Sequence, residues 1–387
     1  MNILFLSSWY PTEINPNYGV FVKEHAAAIH IAGNKIVVLA LVVHKSKKIF
    51  SVSNTDKMDE NGVRTVLVEI HTRFFDIVHH AVPLQYEYLK KTYKKHIAPE
   101  FIPDAVHANV IFPAGIMGYW LAKKFKKPLF ITEHWSRIER FSRQPILSSW
   151  GKIAYNYATA IMPVSRYLQR HIQTFFATED AKFYPIGNII DSDIFKYKNK
   201  ENTENEIRLC SIATWNKMKT PAKQPELLIQ AIKLLPENVR RKVQLTMVGG
   251  GNKLEELKAL RTQLGVNAQF TGYLPKHKIA NILQRSDFFV HPTLTETFGV
   301  VIAEALSTGT PVICSNVGAL PELVNESNGV LCENTREAWV DGLQKAFSTR
   351  FDNKKIAEEG SNKYSKENIG KQIADVYMKV LPRDNFD

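Results

Sequence analysis

The chain has 387 residues, 44% hydrophobic and 23% charged, and its 50 Lys plus Arg against 38 Asp plus Glu leave a net charge of +12 with His neutral. Such proportions fit an ordinary globular protein of two or three domains, at about 100–200 residues each, and exclude disorder, coiled coil and collagen. The first apolar stretch, Ile3 to Leu6, is too short for a signal-peptide core, and no run approaches the ~18–20 apolar residues of a membrane span, so a soluble, cytoplasmic protein is expected.

Asn2 to Ser8 reads as a buried strand ended by Trp9, Tyr10 and Pro11, and Val20 to Ile31 as a helix closed by Gly33. Brief Val/Ile/Leu-rich runs follow at Ile36 to Val43, Val63 to Ile70, Ala105 to Val110, Pro128 to Thr132 and Ala160 to Val164. Helical patterns fit between them at Leu84 to Ile97, Ala114 to Phe125, Leu147 to Ala158 and Arg166 to Phe176. Continuously apolar strands alternating with helices predict a mostly parallel sheet covered on both faces, so residues 1–190 read as one α/β domain.

Asp191 to Glu206, rich in Lys, Asn and Glu, reads as a linker. The alternation then resumes, with strands at Ile207 to Ile212, Val243 to Val248, Ala268 to Thr271, Phe288 to His291, Pro311 to Ser315 and Gly329 to Cys332. Helices fit at Lys223 to Leu235, Leu254 to Leu264, Lys276 to Gln284, Val300 to Ser307 and Thr335 to Phe347. Residues 207–361 thus form a second doubly wound domain, and Asn362 to Val380 opens a terminal helical segment, 362–387. The fold class expected is α/β with two Rossmann-like domains, and ligands of such sheets sit beyond the carboxyl ends of the strands, in a cleft. Cys210, Cys314 and Cys332 lack CxxC spacing and lie in or beside apolar runs, so they read as buried reduced thiols.

The most informative stretch is a strand ending at His291-Pro292, a loop with Glu296, then Gly299 and a helix containing Glu304. The amides of Thr297, Phe298, Gly299 and Val300 would point out of the helix N-terminus, a place suited to phosphate. A carboxylate before that end and another inside the helix suit hydroxyls, so the implied ligand is a diphosphate with hydroxylated groups on either side. Two surface glutamates flanking an amphipathic helix would give the same spacing.

His291-Pro292, Glu296-Thr297-Phe298-Gly299, the spacing from Glu296 to Glu304, then Gly309, Pro311-Val312 and Gly318 to Glu322 resemble the nucleotide-sugar segment of the retaining family-4 glycosyltransferases, the glycosyl transferases group 1. Their GT-B fold has two Rossmann-like domains facing across a cleft. Gly19 resembles the family's glycine-rich loop, His134 its active-site histidine, Gly187-Asn188 its interdomain loop, and Gly249 to Gly251 its second-domain turn. The resemblance implies that Glu304 holds ribose hydroxyls, Glu296 the donor hexose hydroxyls, and the amides from Thr297 to Val300 the diphosphate. It also implies that the terminal segment packs back toward the first domain. Family members present an Arg and a Lys to the diphosphate; Ile212-Ala213-Thr214-Trp215 holds no Arg, Lys223 fits the lysine, and Lys217 or Lys219 would replace the arginine.

Other signals have plainer readings. Asp191-x-Asp193 matches a short metal-binding string of a different glycosyltransferase architecture, but the domain pattern opposes it, and no metal or other cofactor is expected. Gly249-x-Gly251 lacks the third glycine of a dinucleotide fingerprint, because Leu254 stands there. His107, a lone histidine ending a strand, reads as satisfied by its neighbours. Serine-elbow, P-loop and HExxH spacings are absent. The expected activity is transfer of a hexose from a nucleoside-diphosphate sugar to an acceptor hydroxyl of a saccharide or lipid-linked saccharide, in cell-surface polysaccharide synthesis. A sugar-nucleotide epimerase or a non-catalytic binding protein of the same fold is the alternative.

The charge is located. From Ala81 to Lys152 twelve Lys or Arg face five acids, interleaved with Tyr86, Tyr88, Tyr93, Trp120 and Trp150. In this fold that region reads as an acceptor-side surface attracted to an anionic membrane, on the inner face of the plasma membrane, with a solvated face as the plain alternative. A nucleic-acid partner is not expected, since no aromatic-basic module or zinc finger accompanies the charge.

Overall fold

The computed structural model describes residues 1–200, 205–217 and 222–381. The chain divides into two compact units, Met1–Ile189 with the segment from Lys366 onward, and Ile190–Ser365.

In the first unit the strands are β1 (Asn2–Ser7), β2 (Lys35–Lys45), β3 (Phe50–Met58), β4 (Arg64–Thr72), β5 (Ala105–Asn109), β6 (Leu129–Glu133) and β7 (Ala160–Pro163). They form one sheet in the order β3-β4-β2-β1-β5-β6-β7, parallel except for β3. β1, β5, β6 and β7 are almost wholly buried because helices cover both faces. The sequence reading missed β3. It is an exposed edge strand, antiparallel to β4 from Phe50↔Thr72 to Met58↔Arg64, and its Ser, Asn, Thr, Asp and Lys residues give no apolar run.

The second unit holds β8 (Ile207–Thr214), β9 (Val243–Gly250), β10 (Ala268–Gly272), β11 (Phe288–His291), β12 (Val312–Ser315) and β13 (Gly329–Cys332). They pair in parallel in the order β10-β9-β8-β11-β12-β13. In both sheets strand order reverses beside the first strand, between β1 and β5 and between β8 and β11, and ligands of such sheets bind at the carboxyl ends of those strands. Helix starts are fixed locally: Ser165 Oγ accepts from Leu168 N at 3.0 Å, Thr335 Oγ1 from Ala338 N at 3.2 Å, and Asp352 Oδ1 from Lys355 N at 3.0 Å. Cys210, Cys314 and Cys332 are buried and unbonded to one another.

Three expected boundaries move. The described part of Asp191 to Glu206 is not a bare linker: Phe195 is buried, and Ile190 N donates to Tyr364 O at 2.8 Å within the second unit. The terminal segment is two helices, Asn353–Tyr364 and Lys366–Val380, broken at an extended Ser365 rather than beginning at Asn362. Tyr364 explains the break, because its ring lies edge-on to Phe298 at 5.6 Å and keeps the chain with the second unit to that point. The helix expected from Lys223 starts at Pro225, which disfavours helical backbone at Gln224 and leaves Lys223 in an extended bridge with Thr293.

Helix Lys366–Val380 belongs to the first unit and packs on helix Val20–Ile31. Gly370 permits this closeness, since a Cβ there would lie 2.2 Å from Ala28 O. Lys366 Nζ meets Glu24 Oε2 at 2.8 Å.

Candidate active site

In the second unit the loop after β11 is built before it reaches the helix. Thr293 is fully buried; its amide donates to Ser315 Oγ at 2.9 Å, and its hydroxyl lies 2.9 Å from both Ala222 O and Thr295 O. Gln224 N donates to Pro292 O at 3.0 Å and Leu294 N to Ala222 O at 2.6 Å, which docks the segment carrying Lys223 onto this loop. The Lys223 ammonium therefore sits 2.6 Å from Glu296 Oε2 and 3.0 Å from His291 Nε2.

An ammonium can only donate, so His291 accepts through Nε2 and carries its proton on Nδ1. Burial, then the Lys223 charge, lowers His291 to about 4, which keeps that ring neutral. Burial pushes Glu296 upward, but the Lys223 ammonium beside it wins and holds its carboxylate far below the usual range. Gly318 supports the arrangement: at φ +60 a Cβ would lie 2.3 Å from Glu296 O, and Ala319 N donates to that carbonyl at 3.0 Å.

Beyond Glu296, Gly299 adopts φ +94 and opens helix Val300–Ser307. Among the described residues nothing accepts from the amides of Phe298, Gly299 and Val300, whereas Thr297 N already donates to Glu296 Oε1 at 3.1 Å. Three of the four predicted amides are thus open to an anion. Glu304 lies within the helix, 9% exposed; burial raises it to about 7 against Lys276, with Asp191 reinforcing the rise. No described group donates to its carboxyl.

Other predicted donor residues fall elsewhere. Gly249 and Gly251 shape the end of β9 against the end of β8; a Cβ on Gly251 would lie 2.1 Å from Trp215 O. Lys217 lies three residues beyond the end of β8, and its ammonium pairs with Glu256 rather than with Glu296. Lys219 lies outside the described residues. Asp191 and Asp193 do not converge on an ion: Asp191 Oδ1 accepts from Asp193 N at 3.2 Å and Ile194 N at 3.3 Å, closing a turn.

In the first unit His134 follows β6. Its Nδ1 is 2.9 Å from Asn188 Oδ1 and its Nε2 is 3.3 Å from the side-chain amide of Asn109. Burial, then His25, pulls His134 well below its ordinary range, so the ring is neutral. Nδ1–H donates to Asn188, and the remaining lone pair on Nε2 is matched when Asn109 presents its NH2, a buried group otherwise without a partner. Phe21 packs on the His134 ring at 4.8 Å and His25 stands perpendicular to it at 5.0 Å. Gly19, at φ +69, caps the helix that carries both; a Cβ there would lie 2.3 Å from Trp9 O. His107 is a core residue, joined through Nε2 to Thr132 Oγ1 at 2.7 Å and through Nδ1 to the Tyr377 hydroxyl.

The sequence reading gave no role to Glu133, Asn109 or His291. Glu133 is fully buried and accepts from Ile111 N at 2.8 Å, His134 N at 3.0 Å, Trp135 N at 2.9 Å and the Tyr155 hydroxyl at 2.8 Å. Burial raises it to about 7 against these four donors. It clamps the two loops beyond β5 and β6 and so fixes where His134 stands. A carboxylate beside a candidate histidine at a strand end was the available signal.

Two family models together cover residues 19–363: glycosyltransferase family 4 matches residues 19–194 and glycosyl transferases group 1 matches residues 193–363. The chain is similar to the putative teichuronic acid biosynthesis glycosyltransferase of Bacillus subtilis, 24% identical over 92% of this chain and 90% of that one. It is also similar to the alpha-monoglucosyldiacylglycerol synthase of Streptococcus pneumoniae, 22% identical over 75% and 69%. Among solved structures, sucrose-phosphate synthase from Thermosynechococcus elongatus superposes with TM-score 0.76 at 18% identity over 98% of this chain and 99% of that one. Anabaena HepE, solved with UDP, superposes with TM-score 0.72 at 17% identity over 98% and 100%. With two Rossmann-like sheets, a loop-and-helix site after β11 and both family models matched, the chain belongs to the family-4, group 1 glycosyltransferases of GT-B fold and is a transferase enzyme.

Proposed function

We propose that the enzyme is a retaining hexosyltransferase that moves a hexose from a nucleoside-diphosphate sugar to an acceptor hydroxyl. The observation that carries this reading is the Lys223–Glu296 pair set beside three open amides at the head of helix Val300–Ser307. In transfer the bond from the anomeric carbon to the diphosphate oxygen breaks and negative charge grows on that oxygen. The amides of Phe298, Gly299 and Val300 and the spare N–H of Lys223 stabilise that charge. The acceptor oxygen bonds to the anomeric carbon on the face the diphosphate leaves, and its proton passes to the departing oxygen. Glu296 accepts from hexose hydroxyls and Glu304 from ribose hydroxyls, and His134 is the catalytic candidate of the first unit. Charge stabilisation by amides and a lysine assigns no role to a metal.

The names of the Bacillus subtilis and Streptococcus pneumoniae relatives support an acceptor in cell-surface polysaccharide or glycolipid synthesis. The basic stretch from Ala81 to Lys152 supports work at an anionic membrane surface, with the protein cytoplasmic and peripheral on the inner face. Among the described residues no helix is long and apolar enough to cross a membrane.

The test is a panel of nucleotide sugars incubated with purified protein. Slow release of free nucleoside diphosphate from one donor, lost in Glu296→Ala and Lys223→Ala, is the expected result; undiminished release in both variants refutes the site assignment. Retention is read from the anomeric configuration of the product, and the membrane role from salt-sensitive binding to anionic but not neutral vesicles.

A further inference from the structure

In the first unit, remote in sequence from the donor residues, His44 at the end of β2 and Glu69 and His71 on β4 form a cluster with no assigned role. His44 and His71 are register partners, and Glu69 precedes His71 by two residues, so all three side chains leave the same face of the sheet. They stand toward the carboxyl ends of adjacent parallel strands, and each is half-buried. His44 Nε2 lies 2.9 Å from Glu69 Oε1, and one ligand atom from each of the three residues lies within 4.8 Å of the others. The imidazoles stack at 4.8 Å with 14° between their planes. The His71 ring has no hydrogen-bond partner among the described residues, so the His44–Glu69 contact does not explain why the second histidine is there.

We infer that His44, Glu69 and His71 form a binding site for a zinc-class divalent ion that ties the ends of β2 and β4 together. Two imidazoles and one carboxylate are a ligand set that suits zinc rather than magnesium, which favours an all-oxygen shell. Metal–ligand bonds of about 2.0–2.2 Å in a tetrahedral arrangement put ligand atoms about 3.3 Å apart. The His44–Glu69 separation is already close to that, and a His71 ring nitrogen lies within 4.8 Å of both ligand atoms. Glu69 and Lys48 are the charged side chains that bear on the His71 ring. Lys48 opposes a cation, and the Glu69 charge offsets it. Glu69 also lines a groove of about 680 Å³ with Tyr10, Glu13, Thr55 and Thr65.

The experiment uses the full chain stripped with chelator, titrated with zinc by calorimetry and with cobalt by visible absorption. One equivalent of zinc is expected to bind, cobalt to develop tetrahedral ligand-field bands, and magnesium to give no response. Removing a direct ligand should weaken zinc by more than the ~10–100-fold that outer-shell changes cause. His71→Ala, His44→Ala and the milder His71→Asn are therefore expected to lose tight binding, while His79→Ala and His30→Ala keep it. Absence of saturable zinc binding overturns the inference. So does an affinity that is the same in wild type, His71→Asn and His44→Ala, because the ion would then be held elsewhere.

Discussion

Lys223 Nζ stands 2.6 Å from Glu296 Oε2 although the two residues are 73 positions apart and neither is in a helix or strand. The pairing depends on Pro225 keeping Lys223 out of the following helix and on Ala222 bonding to Thr293 and Leu294. Lys223→Ala is expected to lower turnover about 10²–10³-fold, the scale of one lost preorganised donor. It should also cost about 1–3 kcal/mol of stability by leaving a largely buried carboxylate without its cation. Steady-state kinetics and urea denaturation read the two effects separately, and turnover equal to wild type would remove Lys223 from the chemistry.

The open amides at the head of helix Val300–Ser307 follow Glu296 directly in the chain, and Gly318 packs against the Glu296 backbone. Gly318→Ala places a methyl in a left-handed conformation and into the Glu296 carbonyl. Affinity for nucleoside diphosphate is expected to fall at least about tenfold, with about 1–3 kcal/mol lost from the fold. Calorimetry with UDP, GDP and ADP measures the first; unchanged binding of all three contradicts the claimed support.

Glu133→Gln puts an amide N–H where three backbone N–H groups and a phenol converge. Loss of about 3 kcal/mol is expected, because an acceptor for four donors becomes partly a donor. Tyr155→Phe removes one donor and should cost about 1–2 kcal/mol while retaining most activity. Equal stability of the two variants in denaturant titration would show that Glu133 does not organise the loops.

The histidines of the first unit give it an acid limit. Burial lowers His25 to about 4 and His107 to about 3, and His134 lies well below its ordinary value, whereas each is near 6.5 when unfolded. Folded values below unfolded ones mean that the unfolded chain binds more protons, so stability falls as pH drops from about 6.5 towards 4. Glu133, raised to about 7, has the opposite sign: its contribution is present below about 4.3 and is lost as pH rises through 7. Three histidines against one glutamate leave about two protons, a slope near 2–3 kcal/mol per pH unit around pH 5.5. His25→Gln should flatten that slope by about 1.4 kcal/mol per unit in denaturation series from about pH 4.5 to 6.5; an unaltered slope would rule out His25 as a contributor.

The alternation of apolar runs with helical patterns made the two sheets legible, because parallel strands buried on both faces keep no polar residues to blur them. β3 was invisible for the converse reason, since at a solvated edge the ladder to β4 needs only backbone. Glu296 and Glu304 could be singled out because spacing around a helix start constrains chemistry. The Lys217 ammonium could not be placed, because an exposed lysine takes whichever carboxylate is near, and Glu256 on the next helix is a contact no spacing announces. Glu133 was legible as a residue but not as a clamp, since two of its four donors, Ile111 N and the Tyr155 hydroxyl, come from 22 residues on either side along the chain.

Helix Lys366–Val380 gives the molecule an order of assembly. Tyr377 and Ile373 complete the core that begins at Ile3 and Phe5, and the Tyr377 hydroxyl holds His107. During synthesis on a ribosome the first unit is therefore left unfinished while the whole second unit emerges, with the Ala28 face of its first helix still wet. A nascent chain stalled after Ser365 would present that surface to chaperones and proteases, and quality control on this protein would in effect inspect its last turns of helix.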